Sequence, residues 1–390
     1  MKRVKISLLL RIVIAIAAGI GCSFFFPASL TRGFVTFNSL FGNFLNFIIP
    51  LLILGLVAPG IAELGRGAGR MLGITTLIAY ASTVLSGYFA YGVCGAVYHH
   101  IIEPRSFPIE EAVAAGNVLE PYFEIEMTPL FGVMPALVLS FVLGLALPAA
   151  GGNVMLSMLR ELREVVMTVV RRVVIPLLPL YIFGIFLKMG CEGTVMTVTA
   201  LFVKVIVVIF VLHAVLLFLQ FCIAGAVSGR NPLRSLRNML PAYMTALGTQ
   251  SSAATIPVTL AQAKKNGVRA EVADFVIPLC ATIHLSGSTL KIVACAYAIS
   301  CMAGLPSDIG TYSEFIFILA IAMVAAPGVP GGAILASIGI IGSMLGFDAG
   351  LQGLMIALYI AMDSFGTACN VTGDGAIAMI MDRIYKKTAA

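Results

Sequence analysis

Four polar side chains near the C-terminus are spaced so that they share one face of a helix. Asp363, Thr367, Asn370 and Asp374 fall at i, i+4, i+7 and i+11 within the otherwise apolar stretch Ala357–Ile380. An aspartate in the middle of a membrane costs roughly 2.5–3.5 kcal/mol, so two on one stripe require a compensating role. Carboxylate, hydroxyl and amide oxygens together suit a site for a solute or a hard cation. The alternative is a pair of carboxylates near helix ends, solvated or hydrogen-bonded to a neighbouring helix.

Two further segments interrupt apolar sequence upstream of this stripe. Residues 239–260 are rich in Ser and Thr and have clusters of Lys and Arg on both sides. Basic flanks place both ends on the cytoplasmic face, which predicts a re-entrant hairpin; an amphipathic cytoplasmic loop is the alternative. A second hairpin, entering from the opposite face, is predicted over Phe315–Leu345 around Pro327-Gly-Val-Pro-Gly-Gly332. The span between the hairpins, Ala273–Met302, is broken at His284-Leu-Ser-Gly-Ser288.

Composition indicates the class of protein in which these segments lie. Of 390 residues, 60% are hydrophobic and 11% are charged, whereas a soluble domain has about 25% charged residues. The chain is therefore predicted to be an all-α polytopic membrane protein embedded in a lipid bilayer. The net charge of +6 comes from clusters of Lys and Arg between apolar runs, so no nucleic-acid partner is needed to explain it. The eight cysteines show no CxxC or Cys/His spacing typical of a zinc site or a disulfide framework.

The apolar runs predict about eight transmembrane helices in addition to the two re-entrant hairpins. The spans before the first hairpin are Ile6–Phe26, Phe41–Leu64, Met71–Val97, Pro129–Leu147, Val173–Met189 and Val195–Ala226, and the last span begins at Leu351. Basic loops around Arg66, at 160–172 and at 230–237 are placed in the cytoplasm, and the acidic segment 99–127 is placed outside. Both termini are then cytoplasmic. The apolar N-terminus is interpreted as a retained first span rather than a cleaved signal.

Three motifs resemble those of the dicarboxylate/amino acid:cation symporters, the glutamate transporter family. Thr249-Gln-Ser-Ser-Ala-Ala-Thr-Ile-Pro-Val-Thr259 is similar to the serine-rich first hairpin, and Pro327-Gly-Val-Pro-Gly331 to the second hairpin tip. Asp363-Ser-Phe-Gly-Thr-Ala-Cys-Asn-Val-Thr-Gly-Asp374 is similar to the last-helix motif Asp-x-x-Arg-Thr-x-x-Asn-x-x-Gly-Asp. The resemblance implies a glutamate-transporter-like fold with inverted repeats and a homotrimer. Residues 1–237 would form mainly the scaffold and trimer contacts, and residues 238–390 the core of a transport domain that the third and sixth spans join.

The resemblance also implies roles for individual residues. The substrate-binding set is Ser251, Ser252, Ser288, Val329, Asp363, Thr367 and Asn370. Within it, Asp363 would take an amino group, and backbone N–H groups at the hairpin tips would take a carboxylate. The implied cation is Na⁺. Its side-chain and backbone ligands would come from Cys280, Thr282, His284, Leu285, Val324, Ala326, Asn370 and Asp374.

Two departures from the family pattern bear on the substrate and the ion. The last-helix arginine is Gly366 here, which favours a neutral amino acid such as serine, threonine or alanine over an acidic amino acid or a dicarboxylate. Gln250 or Lys291 could substitute for that arginine. Lys291 could instead replace a bound cation with its own ammonium, but snorkelling to an interface is the favoured interpretation. His284-Leu-Ser-Gly-Ser288 replaces Asn-Met-Asp-Gly-Thr, so one sodium site is expected to be weakened, and His284 leaves H⁺ coupling open.

Together these features predict a secondary active symporter of the bacterial inner membrane, and not an enzyme. It would couple uptake of a small amino acid to a cation gradient by an elevator-type movement. A channel is disfavoured because the polar residues concentrate in the last third of the chain rather than along a continuous path. An intramembrane hydrolase is disfavoured because no nucleophile-elbow pattern surrounds the serines. A degenerate family member that binds or senses its ligand without transporting it is the remaining alternative.

Overall fold

The structure is a computed structural model that describes residues 8–65, 70–102, 119–193, 195–326 and 330–388. Within these ranges the regular elements are all helices, which confirms the all-α class. A π-helical turn, Val170–Val174, joins two of them into one continuous rod. The helices are α1 (Leu8–Ser23), α2 (Ala28–Gly65), α3 (Arg70–Ile101), α4 (Val133–Ala149), α5 (Asn153–Val169), α6 (Ile175–Cys191), α7 (Val195–Ser228), α8 (Pro232–Thr249), α9 (Ser252–Lys265), α10 (Ala270–Ile283), α11 (Ser286–Ala303), α12 (Ile309–Val324), α13 (Gly332–Leu345), α14 (Ala349–Ala361) and α15 (Asp363–Thr388).

Several helical segments are long and apolar enough to cross a membrane, which confirms a polytopic membrane protein. Among the described residues there are five such segments, or six if the bent pair α14–α15 is one span. They are Ala28–Ala62, Arg70–Ile101, Asn153–Cys191, Val198–Ser228 and Ala270–Ala303. The helices α1, α4, α12 and α13 are apolar but shorter. The number of about eight spans, and the re-entrant placement of the hairpins, stay predictions.

Two expected boundaries are wrong. The second helix begins at Ala28 rather than Phe41, because the intervening residues continue its helical pattern. The basic segment 160–172, expected as a loop, is helical. Leu, Arg and Glu are good helix formers, and the apolar Leu156, Leu159 and Val166 are buried, while α5 packs against α2.

The last helix, α15, is the centre of the C-terminal half. It packs against α7, α8, α9, α10 and α11, and α3 packs along α11. The N-terminal helices make a different set of contacts, since α2 packs against α4 and α1 against α6. The division into a scaffold at 1–237 and a transport domain at 238–390 stays a prediction.

Breaks between paired helices bring helix ends into the interior of the C-terminal half. The hairpin α8–α9 turns at Gln250, whose φ of 54° is left-handed, and Ser251 then caps α9 by accepting the N–H of Ala254. The second hairpin, α12–α13, resumes at Gly331 with φ 74°. The pair α10–α11 is interrupted at 284–285, and α14–α15 bends by 60° at Met362. Such ends leave backbone N–H and C=O groups available for partners.

Candidate functional site

Asp363 joins three elements at the bend in the last helix. It is the first residue of α15 and is 6% exposed. Its Oδ2 accepts the backbone N–H of Gly331 at 2.7 Å, and its Oδ1 lies 3.4 Å from Nζ of Lys291. The carboxylate therefore connects the tip of the second hairpin and the middle of α11 to the start of α15.

Lys291 is fully buried, so the expectation that it snorkels to an interface is wrong. Besides Asp363, its ammonium lies 3.3 Å from the carbonyl oxygen of Tyr359 and 3.4 Å from the centroid of the Tyr359 ring. An ammonium has three N–H donors, and these contacts provide a carboxylate, a carbonyl and an aromatic face. The charge is compensated at depth, so the side chain has no need to reach water.

The side chain of Lys291 fills the space beside Gly366. A Cβ added at Gly366 would lie 3.0 Å from Nζ and 3.3 Å from Cε of Lys291. A cation thus stands next to position 366, although it comes from α11 and not from α15. Of the two substitutes considered from the sequence, Lys291 is the one that the structure places here; Gln250 forms the turn of the first hairpin.

Asn370 holds the start of α11 against α15. Its Oδ1 accepts the backbone N–H groups of Gly287 at 2.8 Å and Ser288 at 3.2 Å, and its Nδ2 donates to Oγ of Ser288 at 3.0 Å. These are first-turn N–H groups with no partner inside their own helix. Thr367 donates to the carbonyl of Asp363 at 3.1 Å. Asn370 of the predicted stripe therefore meets the predicted Ser288, with Asp363 two turns away along α15.

A second buried pair lies further along the same face of α15. Nδ1 of His284 is 2.9 Å from Oδ1 of Asp374, and both residues are 1% exposed. Nε2 of His284 is 3.1 Å from Oγ of Ser82, and Nε2 of Gln220 donates to the same oxygen at 3.2 Å. A Cβ at Gly373 would lie 2.9 Å from Cε1 of His284, so the absence of a side chain there leaves room for the imidazole.

The remaining predicted residues lie at the ends of the paired helices. The carbonyls of Cys280 and Leu285 accept the N–H groups of His284 and Thr289, both at 2.9 Å. Thr282 is exposed, and its hydroxyl donates to a carbonyl of its own helix. Ser251 and Ser252 lie at the first hairpin tip, and Val324 and Ala326 lie at the end of α12. Val329 is outside the described residues. The described ranges contain no cluster of three or more His, Cys, Asp or Glu residues that could hold a metal ion.

Several polar contributors were not identified from the sequence. Ser82 and Gln220 come from α3 and α7, and Nε2 of His213 lies 3.0 Å from the carbonyl of Gly287. Tyr359, four residues before Asp363, donates to Oγ of Ser288 at 3.3 Å. In the sequence, each of these residues is a single polar side chain within a long apolar segment, and such a pattern does not identify the residue's partner.

Buried charges and open helix ends gathered at breaks in apolar helices are the features of a secondary transporter. This is a transporter and not an enzyme. The chain belongs to the Sodium:dicarboxylate symporter family, whose family model matches residues 8–384. The resemblance predicted from the three motifs is thus confirmed.

Some relatives match nearly the whole chain, and others match part of it. The chain is 24% identical to a serine/threonine transporter, SstT, of Acinetobacter baumannii (strain AYE), over 97% of both chains. It is 25% identical to the protein of the same name from Acinetobacter baylyi, over 98% of both chains. It is 35% identical to excitatory amino acid transporter 3 of Mus musculus over 159 residues, which are 40% of this chain and 30% of the relative.

Proposed function

We propose that this protein is a symporter that takes up a small neutral amino acid, such as serine, threonine or alanine, with a cation. The observation that supports this most directly is the buried carboxylate of Asp363 at the junction of the second hairpin, α11 and α15. A carboxylate in a dry site is a strong partner for an ammonium group. The relatives that align over the whole chain are named for serine and threonine transport.

In this proposal the amino acid is held at its two charged ends. Asp363 binds the amino group, while backbone N–H groups at Ser251, Ser252 and Val329 bind the carboxylate. Ser288, Thr367 and Asn370 lie near the side chain and the backbone of the substrate. A neutral side chain suits this site because position 366 is a glycine, which has no charged group to bind an acidic side chain.

A second candidate substrate is an acidic amino acid or a dicarboxylate. The specific observation in its favour is the 3.0 Å separation between Nζ of Lys291 and the position of a Cβ on Gly366. A substrate carboxylate could pair with this ammonium if it left Asp363. The neutral candidate is preferred because the relatives that align over nearly the whole chain are named for serine and threonine transport.

The proposed coupling ion is Na⁺. One site would use Asn370, Asp374 and the carbonyls of Cys280 and His284, and another the carbonyls of Thr282, Leu285, Val324 and Ala326. The contact between His284 and Asp374 supports H⁺ as a second candidate. A mostly apolar cavity of about 310 Å³ has Ser82 and Gln220, the polar neighbours of His284, among its lining residues.

The movement proposed is an elevator in which residues 238–390, with α3 and α7, cross the bilayer against a trimeric scaffold. The packing of α15 against α7–α11, and of α11 against α3, supports one rigid moving unit. The setting proposed is the bacterial inner membrane with both termini in the cytoplasm. Cross-linking of the purified protein in lipid tests the trimer.

Counterflow in proteoliposomes tests the transport function. Vesicles loaded with unlabelled L-serine should accumulate external radiolabelled L-serine, and unlabelled L-threonine or L-alanine should compete for entry. Aspartate, glutamate and succinate in the same assay test the second candidate. Binding of serine without counterflow would identify a protein that senses its ligand instead of transporting it.

A further inference from the structure

Lys291 offers Asp363 the same chemical group that an amino acid would offer it. Both are primary ammonium ions, and Nζ of Lys291 already lies 3.4 Å from Oδ1 of Asp363. The other carboxylate oxygen is taken by the N–H of Gly331 at 2.7 Å. Each carboxylate oxygen thus already has one partner, and a substrate amino group that approached Oδ1 would compete with Lys291 for it.

We propose that the ammonium of Lys291 is a tethered substitute for the substrate's amino group. It neutralises Asp363 whenever the carrier crosses the membrane without substrate, and it leaves the carboxylate when an amino acid binds. The inference rests on the proposed function, because the displacing ligand is an amino acid. It assigns to Lys291 a role in the return step of the transport cycle.

The electrostatics of the site make such a substitute necessary. A carboxylate with no counter-charge at the depth of Asp363 is strongly unfavourable, and breaking a buried pair by removing one partner leaves that charge uncompensated. Without Lys291, the return of the empty carrier would need a free cation or a water-filled site. With Lys291, Asp363 has a counter-charge in both directions of movement. The substrate's ammonium provides it in the loaded carrier, and Lys291 provides it in the empty carrier.

The contacts of Lys291 also allow it to leave Asp363 without becoming isolated. Its ammonium keeps the Tyr359 carbonyl at 3.3 Å and the Tyr359 ring at 3.4 Å, and neither contact involves the carboxylate. Lysine has a flexible four-carbon stem, so a small rotation moves the charge between these partners. Gly366 provides space for that movement because it has no side chain.

The first test compares exchange with net uptake in the same proteoliposomes. Exchange uses only the loaded carrier, whereas net uptake requires the empty carrier to return. The variant Lys291→Met keeps the stem and removes the charge. It should retain serine counterflow within about threefold of the wild type, with a lower half-saturating serine concentration. Its net uptake should fall by at least about tenfold, because Asp363 lacks a counter-charge only in the empty carrier.

Two further variants control this comparison. Lys291→Arg keeps the positive charge and should recover part of the net uptake. Lys264→Met removes a lysine whose Nζ pairs with Asp274 at 2.6 Å on the surface, and it should leave both rates unchanged. Exchange and net uptake that fall in proportion, or net uptake that survives in Lys291→Met, would overturn the inference.

A second test needs no transport and separates this inference from the proposed function. Lys291→Ala leaves a space into which n-propylammonium can bind against Asp363. This amine should raise the Tm of Lys291→Ala by about 3 °C or more through preferential binding to the folded state, and leave the Tm of the wild type and of Lys291→Ala/Asp363→Asn unchanged. If Lys291→Ala stays folded only in the presence of n-propylammonium, that result supports the inference equally.

The two tests distinguish the possible failures. If the wild type shows no serine counterflow but the amine stabilises Lys291→Ala through Asp363, the proposed substrate is wrong and the exchange of ammonium groups stands. If serine counterflow occurs but the amine has no selective effect, the transport function stands and the role of Lys291 is wrong.

Discussion

Two of the buried carboxylates on α15 each lie beside a basic residue from the broken helix pair α10–α11. Asp363 faces Lys291, and Asp374 faces His284. Both basic residues come from the stretch that contains the break at 284–285, so the two pairs depend on one local feature of the chain. The pairing explains how aspartates at this depth are tolerated.

Asp363→Asn should abolish recognition of the amino acid. The substitution keeps the shape of the side chain but removes the charge proposed to bind the substrate ammonium, and it takes the carboxylate partner from Lys291. Loss of one partner of a buried charged pair costs about 2–5 kcal/mol, so serine binding should weaken by at least about 30-fold. Serine-dependent counterflow and calorimetry measure the effect.

The matched control for that experiment is Asp308→Asn. Asp308 caps α12 at the surface by accepting the N–H of Thr311 at 3.1 Å and its hydroxyl at 2.8 Å. Asparagine is also a good N-cap residue, so serine affinity should not change. Equal affinities in Asp363→Asn and the wild type would remove Asp363 from the substrate site.

Gly366→Arg should inactivate the carrier unless Lys291 is also changed. The new Cβ would lie 3.0 Å from Nζ of Lys291, which leaves no room for a second cation. In Gly366→Arg/Lys291→Ala the guanidinium has space and can bind a carboxylate through two N–H groups. The ratio of aspartate to serine counterflow should rise by at least about tenfold in the double variant. Lys291→Ala alone should not raise that ratio, and a rise there would assign selectivity to Lys291.

The sequence was informative about the acceptors of the site and poorly informative about their partners. The spacing of Asp363, Thr367 and Asn370 placed them on one helix face, since helical periodicity is a local property. The position of Lys291 depended on which helix packs beside α15, and a long apolar stem is equally compatible with snorkelling. Partners such as Ser82 and Gln220 lie far away in sequence and left no local signal.

Close packing of α11 against α15 positions both Lys291 beside Asp363 and His284 beside Asp374. A Cβ on Gly287 would lie 2.5 Å from Cβ of Cys369 and 2.9 Å from the carbonyl oxygen of Gly366. The helices can approach this closely only where a side chain is absent. The break at 284–285 and the bend at Met362 then direct the two half-helices toward each other.

Gly287→Ala should destabilise the protein by about 1–3 kcal/mol, because the added methyl group overpacks the contact between α11 and α15. Gly92→Ala in α3 is the matched control, since a Cβ there meets no atom within 4 Å. It should be neutral or stabilise by about 0.5–1 kcal/mol, as expected of Gly→Ala within a helix. Thermal unfolding followed with a thiol-reactive dye measures both, because Cys280, Cys295 and Cys369 are free and buried. Equal midpoints for the two variants would argue against the close approach.

At the scale of elements, local signals predicted the helix breaks better than the helix bounds. Polar or glycine-rich segments inside apolar sequence correctly marked the interruption at His284. The early start of α2 and the helical 160–172 segment were missed, because both depend on burial against neighbours that the sequence does not name.

Over the whole molecule, one aspartate ties the far end of α15 to two connections between other helices. Asp382 accepts from Arg230 at 2.7 Å and from Nε of Arg269 at 2.8 Å, and its carbonyl accepts a further bond from Arg269. Arg230 lies between α7 and α8, and Arg269 lies between α9 and α10. Hydrogen bonds from Asp382 therefore hold the α7–α8 and α9–α10 connections against the C-terminal end of α15.

Asp382→Asn should lower the free energy of unfolding by about 2–3 kcal/mol, because it weakens charge-assisted hydrogen bonds to both arginines. Asp274→Asn breaks the exposed pair with Lys264 and should change stability by less than about 1 kcal/mol. The dye-based unfolding assay compares the two. A smaller effect at Asp382 than at Asp274 would show that α15 is not anchored there.

The proposed coupling ion, Na⁺, is tested on the complete transport cycle and at Asp374, the charged ligand of one proposed site. Replacing choline by Na⁺ at fixed pH and membrane potential should raise the initial rate of serine uptake by at least about tenfold. Asp374→Asn should remove this Na⁺ dependence, because the carboxylate is the charged ligand of the proposed site. His284→Asn should retain the Na⁺ dependence, since the proposed ligand at this position is its carbonyl. The opposite result would be serine uptake that is driven by a pH gradient without Na⁺ and is abolished by His284→Asn. It would assign the coupling to protons that move through the His284–Asp374 pair.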